Sequence, residues 1–142
     1  MRNLSLTDLM VSQDGGEEEL WVLSYGGGVA RLRNDGTRIW RAERGELPSE
    51  AIYSAVETRS PTGERSVWMA SRGGLLRFRG DQVDVFNRRH GLPSDAVRGL
   101  KVLHGSVGDA EARRRLLAEA RAVSALNHPH IIVIHDVLAV EE

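Results

Sequence analysis

With 142 residues, 41% of them hydrophobic, the chain has the size and composition of one ordinary globular domain, and with no cysteine it can form neither disulfides nor thiolate metal sites. Its net charge of −1 gives no global field that would draw nucleic acid or an anionic membrane. The longest aliphatic run, Ile131-Ile132-Val133-Ile134, falls far short of the roughly 20 residues of a membrane span, and residues 1–16 hold no apolar signal-peptide segment; the expectation is a chain in solution, cytoplasmic by default.

Taken in order, residues 6–16 form a faint first copy of a pattern that becomes clear afterwards. Leu20-Trp21-Val22-Leu23-Ser24 followed by Gly26-Gly27 matches Val67-Trp68-Met69-Ala70-Ser71 followed by Gly73-Gly74, 47 residues on. Ala30-Arg31-Leu32-Arg33 matches Leu76-Arg77-Phe78-Arg79, and Trp40 matches Phe86. Gly45-Glu46-Leu47-Pro48-Ser49 matches Gly91-Leu92-Pro93-Ser94 with one residue fewer, and Ala51-Ile52 matches Ala96-Val97. The faint copy aligns Leu6 with Tyr53 and Gly16 with Gly63.

Each unit reads as a β-meander. Residues 20–24 are β-rich and end at glycines able to take positive φ in a tight turn. A second strand follows at 29–33, and Asn34-Asp35-Gly36 is a hairpin signal into a third at 37–41; Gly80-Asp81 serves in the second unit. The fourth strand is expected at 52–57, closing the first unit at 20–57 and, by analogy, the second at 67–100. Four short strands in about 45 residues is the spacing of a propeller blade.

These residues resemble the two-component regulator propeller repeat: Trp-Val/Met-x-Ser-x-Gly-Gly-x-x-x-Arg, then Gly-Leu-Pro-Ser-x-x-Val. Leu23-Ser24 and Ala70-Ser71 stand where that family has Gly-Thr. The resemblance covers residues 1–98 and implies a sensor segment of a bacterial signalling protein. Two blades cannot close a ring of four to eight. The implied partners are therefore other blades or other protein chains, met through open sheet edges.

After residue 98 the period breaks. Residues 109–126 read as a helix with Leu116, Ala120, Val123 and Leu126 on one stripe, and 131–137 as a buried strand. Leu100-Lys101-Val102-Leu103, Glu119-Ala120-Arg121 and Leu126-Asn127-His128-Pro129-His130-Ile131-Ile132 resemble the small lobe of bacterial serine/threonine protein kinases over residues 99–142. The resemblance implies that Lys101 contacts nucleotide phosphates and pairs with Glu119, 18 residues on. Lys101 is also the one lysine among 19 basic residues. A glycine-rich loop, a catalytic His-Arg-Asp and an Asp-Phe-Gly are missing from the sequence. No cofactor is therefore expected, with ATP and magnesium entering only if a kinase domain is completed elsewhere. The two resemblances overlap at residues 96–103, where both call for a single extended strand.

The remaining motifs have plain readings. Gly26-Gly27-Gly28 continues into a strand, so it is a turn and not a phosphate loop. Trp21 and Trp68 are core residues, and Arg113-Arg114-Arg115 is a solvated helix face. His128, His130 and His135 match no metal motif, and His135-Asp136 lacks the rest of a catalytic loop. The expected fold is mainly β, with two four-stranded blade-like units in an incomplete ring followed by strand–helix–strand. The expected function is a non-catalytic sensor or interaction segment. The alternatives are the amino-terminal portion of a serine/threonine kinase, or a truncated or chimeric reading frame with no function of its own.

Overall fold

A computed structural model describes residues 4–100 and 110–124. The chain divides into two compact units, Met1–Lys101 and Val102–Glu142. The described part of the first is mainly β: β1 (Ser5–Asp14), β2 (Glu17–Tyr25), β3 (Gly28–Arg33) and β4 (Gly36–Trp40) form sheet 1, and β5 (Ile52–Arg59), β6 (Arg65–Ser71), β7 (Gly74–Arg79) and β8 (Gln82–Phe86) form sheet 2. Both sheets are antiparallel, with strands in sequence order. In the second unit the described element is the helix α1 (Ala110–Ser124). Its arginines at 113–115 are exposed, and Glu111 pairs with Arg114 and, at 3.2 Å, with Arg115.

The repeat expected from the sequence is present in the register. Trp21 lies opposite Arg31 and Trp68 opposite Arg77; Ser24 lies opposite Gly28 and Ser71 opposite Gly74. Two residues require glycine for one shared reason. Gly28 and Gly74 both have positive φ, and a Cβ would lie 2.3 Å from the Trp40 carbonyl oxygen in one sheet and 2.4 Å from that of Phe86 in the other.

Three expectations are corrected. Residues 52–59 do not close the first unit; they open the second sheet as β5, paired with β6. The short turn at 60–64, tied by Ser60 N–H to the Glu64 carbonyl at 2.8 Å, brings β5 beside β6, while the longer loop 41–51 separates it from β4. The units therefore run from β1 to β4 and from β5 to β8, and the faint copy at 6–16 is the first strand of sheet 1. Its alignment also moves by one residue: Leu6 opposes Ser24 as Ile52 opposes Ser71, with Thr7 and Tyr53 bulged in matching places. Finally, residues 96–100 belong to no strand. One ladder-like bond forms among the described residues, from Val97 N–H to the Ser71 carbonyl at 2.9 Å. The rest of the expected junction strand, and the strand expected at 131–137, lie outside the described residues.

The sheets stack face to face over one core. Trp21, Leu23, Val29 and Trp40 come from sheet 1, and Ile52, Val67, Met69, Leu76 and Phe78 from sheet 2. Trp21 and Trp40 are stacked with centroids 5.6 Å apart, and Phe78 presents its edge to both at 5.3 and 5.2 Å. Arg31 lies over both indoles, 5.5 and 5.2 Å from their centroids, and reaches the carbonyl of Gly80 at 3.0 Å and the carboxylate of Asp81.

Beside the aromatics sits a buried carboxylate, Glu19, 2% exposed. It accepts from the Trp21 indole N–H at 2.7 Å, from Arg33 at 2.8 Å and from Arg65 of sheet 2. Burial pushes the Glu19 carboxyl up, but the Trp21, Arg33 and Arg65 donors outweigh it and hold it below its ordinary value.

The two indoles differ in one respect that stability measurements detect. The Trp21 N–H donates to Glu19, whereas that of Trp40 has no hydrogen-bond partner among the described residues. In chemical denaturation, Trp21→Phe is expected to destabilise by about 1.5–3 kcal/mol more than Trp40→Phe, the size of a hydrogen bond to a charged group. Glu19 adds a pH dependence. With its folded-state value depressed, its contribution is complete above the ordinary 4.5 and fades as pH falls from there. Glu19→Gln is expected to cost about 1.5–3 kcal/mol at neutral pH, because it removes the buried charge shared by Arg33 and Arg65, which keep Asp14 and Glu57 as partners. It should also flatten the acid side of a Tm-versus-pH curve.

Candidate functional site

Alternation along each strand sends successive side chains to opposite faces, so every sheet here has two faces to account for. On sheet 1 the row Met10–Trp21–Arg31–Arg38 faces sheet 2, and the rows beside it, Leu9–Val22–Ala30–Ile39 and Val11–Leu20–Leu32–Thr37, face away. This outward face is apolar and open. Val11 is 70% exposed, Leu9 52%, and Leu32 and Ile39 38% each. Leu4, just before β1, and Leu6 within it are exposed as well. These exposed apolar side chains are neighbours in the sheet register.

The corresponding rows of sheet 2 are closed. Ala55–Met69–Leu76–Val85 and Glu57–Val67–Phe78–Val83 occupy the same register positions and form the sheet 2 half of the core. The far face of sheet 2 repeats the aromatic half of sheet 1. Trp68 and Phe86 lie 5.9 Å apart, and Arg77 stands 5.4 Å from each ring. Here the Trp68 N–H donates to the Thr58 hydroxyl at 2.9 Å, and Arg77 is held by Asp84. Arg77 and Arg79 keep the Asp84 carboxyl below its ordinary value, against the opposing effect of burial. Leu92, Val97 and Leu100 pack onto this face, leaving Trp68 5% exposed.

A shallow open depression is lined by Pro48, Gly73, Asn87, Arg88, Arg89 and Asp95. Its polar groups largely serve one another: the Arg88 backbone N–H donates to Asp95 at 2.9 Å and that of Arg89 to the Asn87 side chain at 3.0 Å. Among the described residues no group of three or more His, Asp or Glu is placed to hold a metal ion.

The kinase-like pair is only half in view. Glu119 is an exposed residue of α1, and Lys101 lies outside the described residues, as do His128, His130 and His135. The glycines at 26–28 form the tight turn between β2 and β3, with Gly26 and Gly28 at positive φ. The open leucine face was not anticipated. Its signal is the alternation of Leu4, Leu6, Leu9 and Val11, which the bulge at Thr7 throws out of step.

The matching faces of the two sheets should therefore respond differently to truncation. Leu9→Ala and Val11→Ala are expected to change stability by no more than about 0.5 kcal/mol. Met69→Ala and Leu76→Ala, on the matching face of sheet 2, are expected to cost about 2–5 kcal/mol. Urea titrations of the four variants measure the contrast. No protein-family model, curated protein or solved structure matches this chain.

Proposed function

We propose that the chain is a non-catalytic sensor or interaction segment of a bacterial signal-transduction protein, its first hundred residues acting as propeller-like blades. The observation that carries this reading is the outward face of sheet 1, where Leu9, Val11, Leu32 and Ile39 stand open beside a core that is otherwise closed. A sheet needs cover on an apolar face, and cover from outside the sheet is an interaction. The internal repeat supports the same reading, because stacking is how these two sheets already satisfy each other. The placement of open surface on a flat face, more than on strand edges, makes face-to-face stacking the expected mode of contact.

A second reading, the amino-terminal portion of a serine/threonine kinase, is favoured by α1, which spans most of the helix that the kinase-lobe resemblance calls for and carries Glu119. ATP and magnesium would enter only there. Phosphoryl transfer requires nucleotide, metal and acceptor to be aligned between two lobes, and the second lobe's motifs are not in this sequence.

Purified chain incubated with radiolabelled ATP, magnesium and a protein substrate separates the two. No transfer above background is expected, from the chain or from Lys101→Ala. Transfer by the chain that Lys101→Ala abolishes would overturn the non-catalytic reading.

A further inference from the structure

Most arginines in residues 4–100 are engaged: they pair with carboxylates, and Arg98 lies over the Tyr53 ring at 5.4 Å. Arg44, Arg72, Arg88 and Arg89 have no ion-pair or ring partner among the described residues. Three of these four meet at one place. Arg88 and Arg89 line the shallow depression beside Gly73 and Pro48, and Arg72 directly precedes Gly73. A Cβ on Gly73 would lie 2.7 Å from Pro48, so this wall is set by close backbone approach. The repeat supplies a comparison. The short helical turn Arg88–His90 and its twin Ala42–Arg44 both end at a glycine with positive φ, Gly91 and Gly45. In the twin, Glu43 stands where Arg89 stands here, Glu46 lies 2.7 Å from Arg38, and Glu50 lies 4.0 Å from Arg41. One backbone shape is thus supplied with acids in the first loop and is cationic in the second.

We propose that this depression binds a phosphate monoester group. The loop's backbone N–H groups are already taken: that of Arg88 donates to Asp95 at 2.9 Å, that of Arg89 to the Asn87 side chain at 3.0 Å, and that of His90 to the Asn87 carbonyl at 2.8 Å. The guanidinium groups of Arg72, Arg88 and Arg89 are not, and their forked donors suit a tetrahedral oxyanion. Asp95, the one carboxylate lining the depression, is occupied with the Arg88 N–H. Three guanidinium groups against that one carboxylate leave an excess of about two positive charges, which matches the charge of about −1.5 to −2 on a phosphate monoester at neutral pH. A carboxylate or a sulfate ester brings only a single negative charge. The open, shallow shape suits a phosphate at the end of a larger ligand whose remainder stays in solvent. The site shares no residue with the outward face of sheet 1 and does not depend on how that face is read.

The test is a titration of the isotope-labelled full chain followed by amide NMR. Phenyl phosphate is the probe, and phenyl sulfate, the same shape with less charge, is its control. Saturable shifts are expected at the Gly73, Arg88 and Arg89 amides and not in the twin turn Ala42–Arg44. A Kd on the order of 1 mM corresponds to a few exposed charge-assisted hydrogen bonds. Phenyl sulfate should bind about fivefold more weakly or worse, the effect of one charge at contact distance in water. The double variant Arg88→Ala, Arg89→Ala should remove the shifts. Both side chains are exposed and unpaired, so the variant is expected to fold as the native chain does. Arg89→Glu, which copies the twin loop, should weaken binding by reversing a charge without shortening the side chain to a methyl group. A blocked phosphoserine tripeptide is compared with phenyl phosphate: equal affinity assigns the site to a small phosphorylated molecule, and tighter binding assigns it to a phosphorylated protein segment. Absence of saturable shifts, equal binding of phenyl sulfate, equal shifts in the twin loop, or shifts that survive the arginine variants would each overturn the proposal. The reading of the chain as non-catalytic keeps its separate test in the phosphoryl-transfer assay.

Discussion

Trp21 is where the first unit is held together, because it joins the aromatic stack to the buried carboxylate. Its ring stacks on Trp40, meets the edge of Phe78 and lies under the guanidinium of Arg31. Its N–H holds the buried carboxylate that also receives Arg33 from its own sheet and Arg65 from the other. A four-stranded sheet apolar on both faces cannot be stable alone; one sheet must supply the cover of another. Trp21 makes that cover specific, since a stacked and hydrogen-bonded indole accepts one arrangement of its neighbours where an aliphatic side chain accepts several.

The predominance of arginine over lysine has a structural use here. Arg31 and Arg77 each lie over a pair of aromatic rings, Arg33 bridges Asp14 and Glu19, and Arg65 meets Glu19 and Glu57. A planar guanidinium can stack on a ring and keep its edge N–H groups for carboxylates, which an ammonium cannot do. Buried ion pairs repay little of their own desolvation. The Glu19 cluster is better understood as fixing the register between sheets than as a store of stability.

The repeat then determines what is left over. Two sheets in a stack have four faces, of which the inner pair is satisfied, one outer face is roofed by Leu92, Val97 and Leu100, and one remains apolar and open. The function proposed for this segment follows from that remainder, so the same packing rule explains both how the unit folds and what it offers to a partner.

Much of this was written in the sequence by itself. Trp21 and Trp68, Arg31 and Arg77, Gly28 and Gly74, and Trp40 and Phe86 recur at matching places because each is required by contacts within a single sheet: a cross-strand cation over a ring, a carbonyl too close for a Cβ, a ring beside a ring. Such requirements repeat with the unit and are legible as a period. Where each unit begins was not legible that way. The period is the same whether residues 52–59 end one sheet or open the next, and only the pairing of β5 with β6 across the turn at 60–64 decides it. The open face was hidden for a related reason. A bulge at Thr7 breaks the alternation of Leu6 and Leu9, and strand sequences with apolar residues on both faces do not say which face is covered. Cover depends on a neighbouring sheet, contributed by residues far away in the chain, and so it was settled only when the two sheets were brought together.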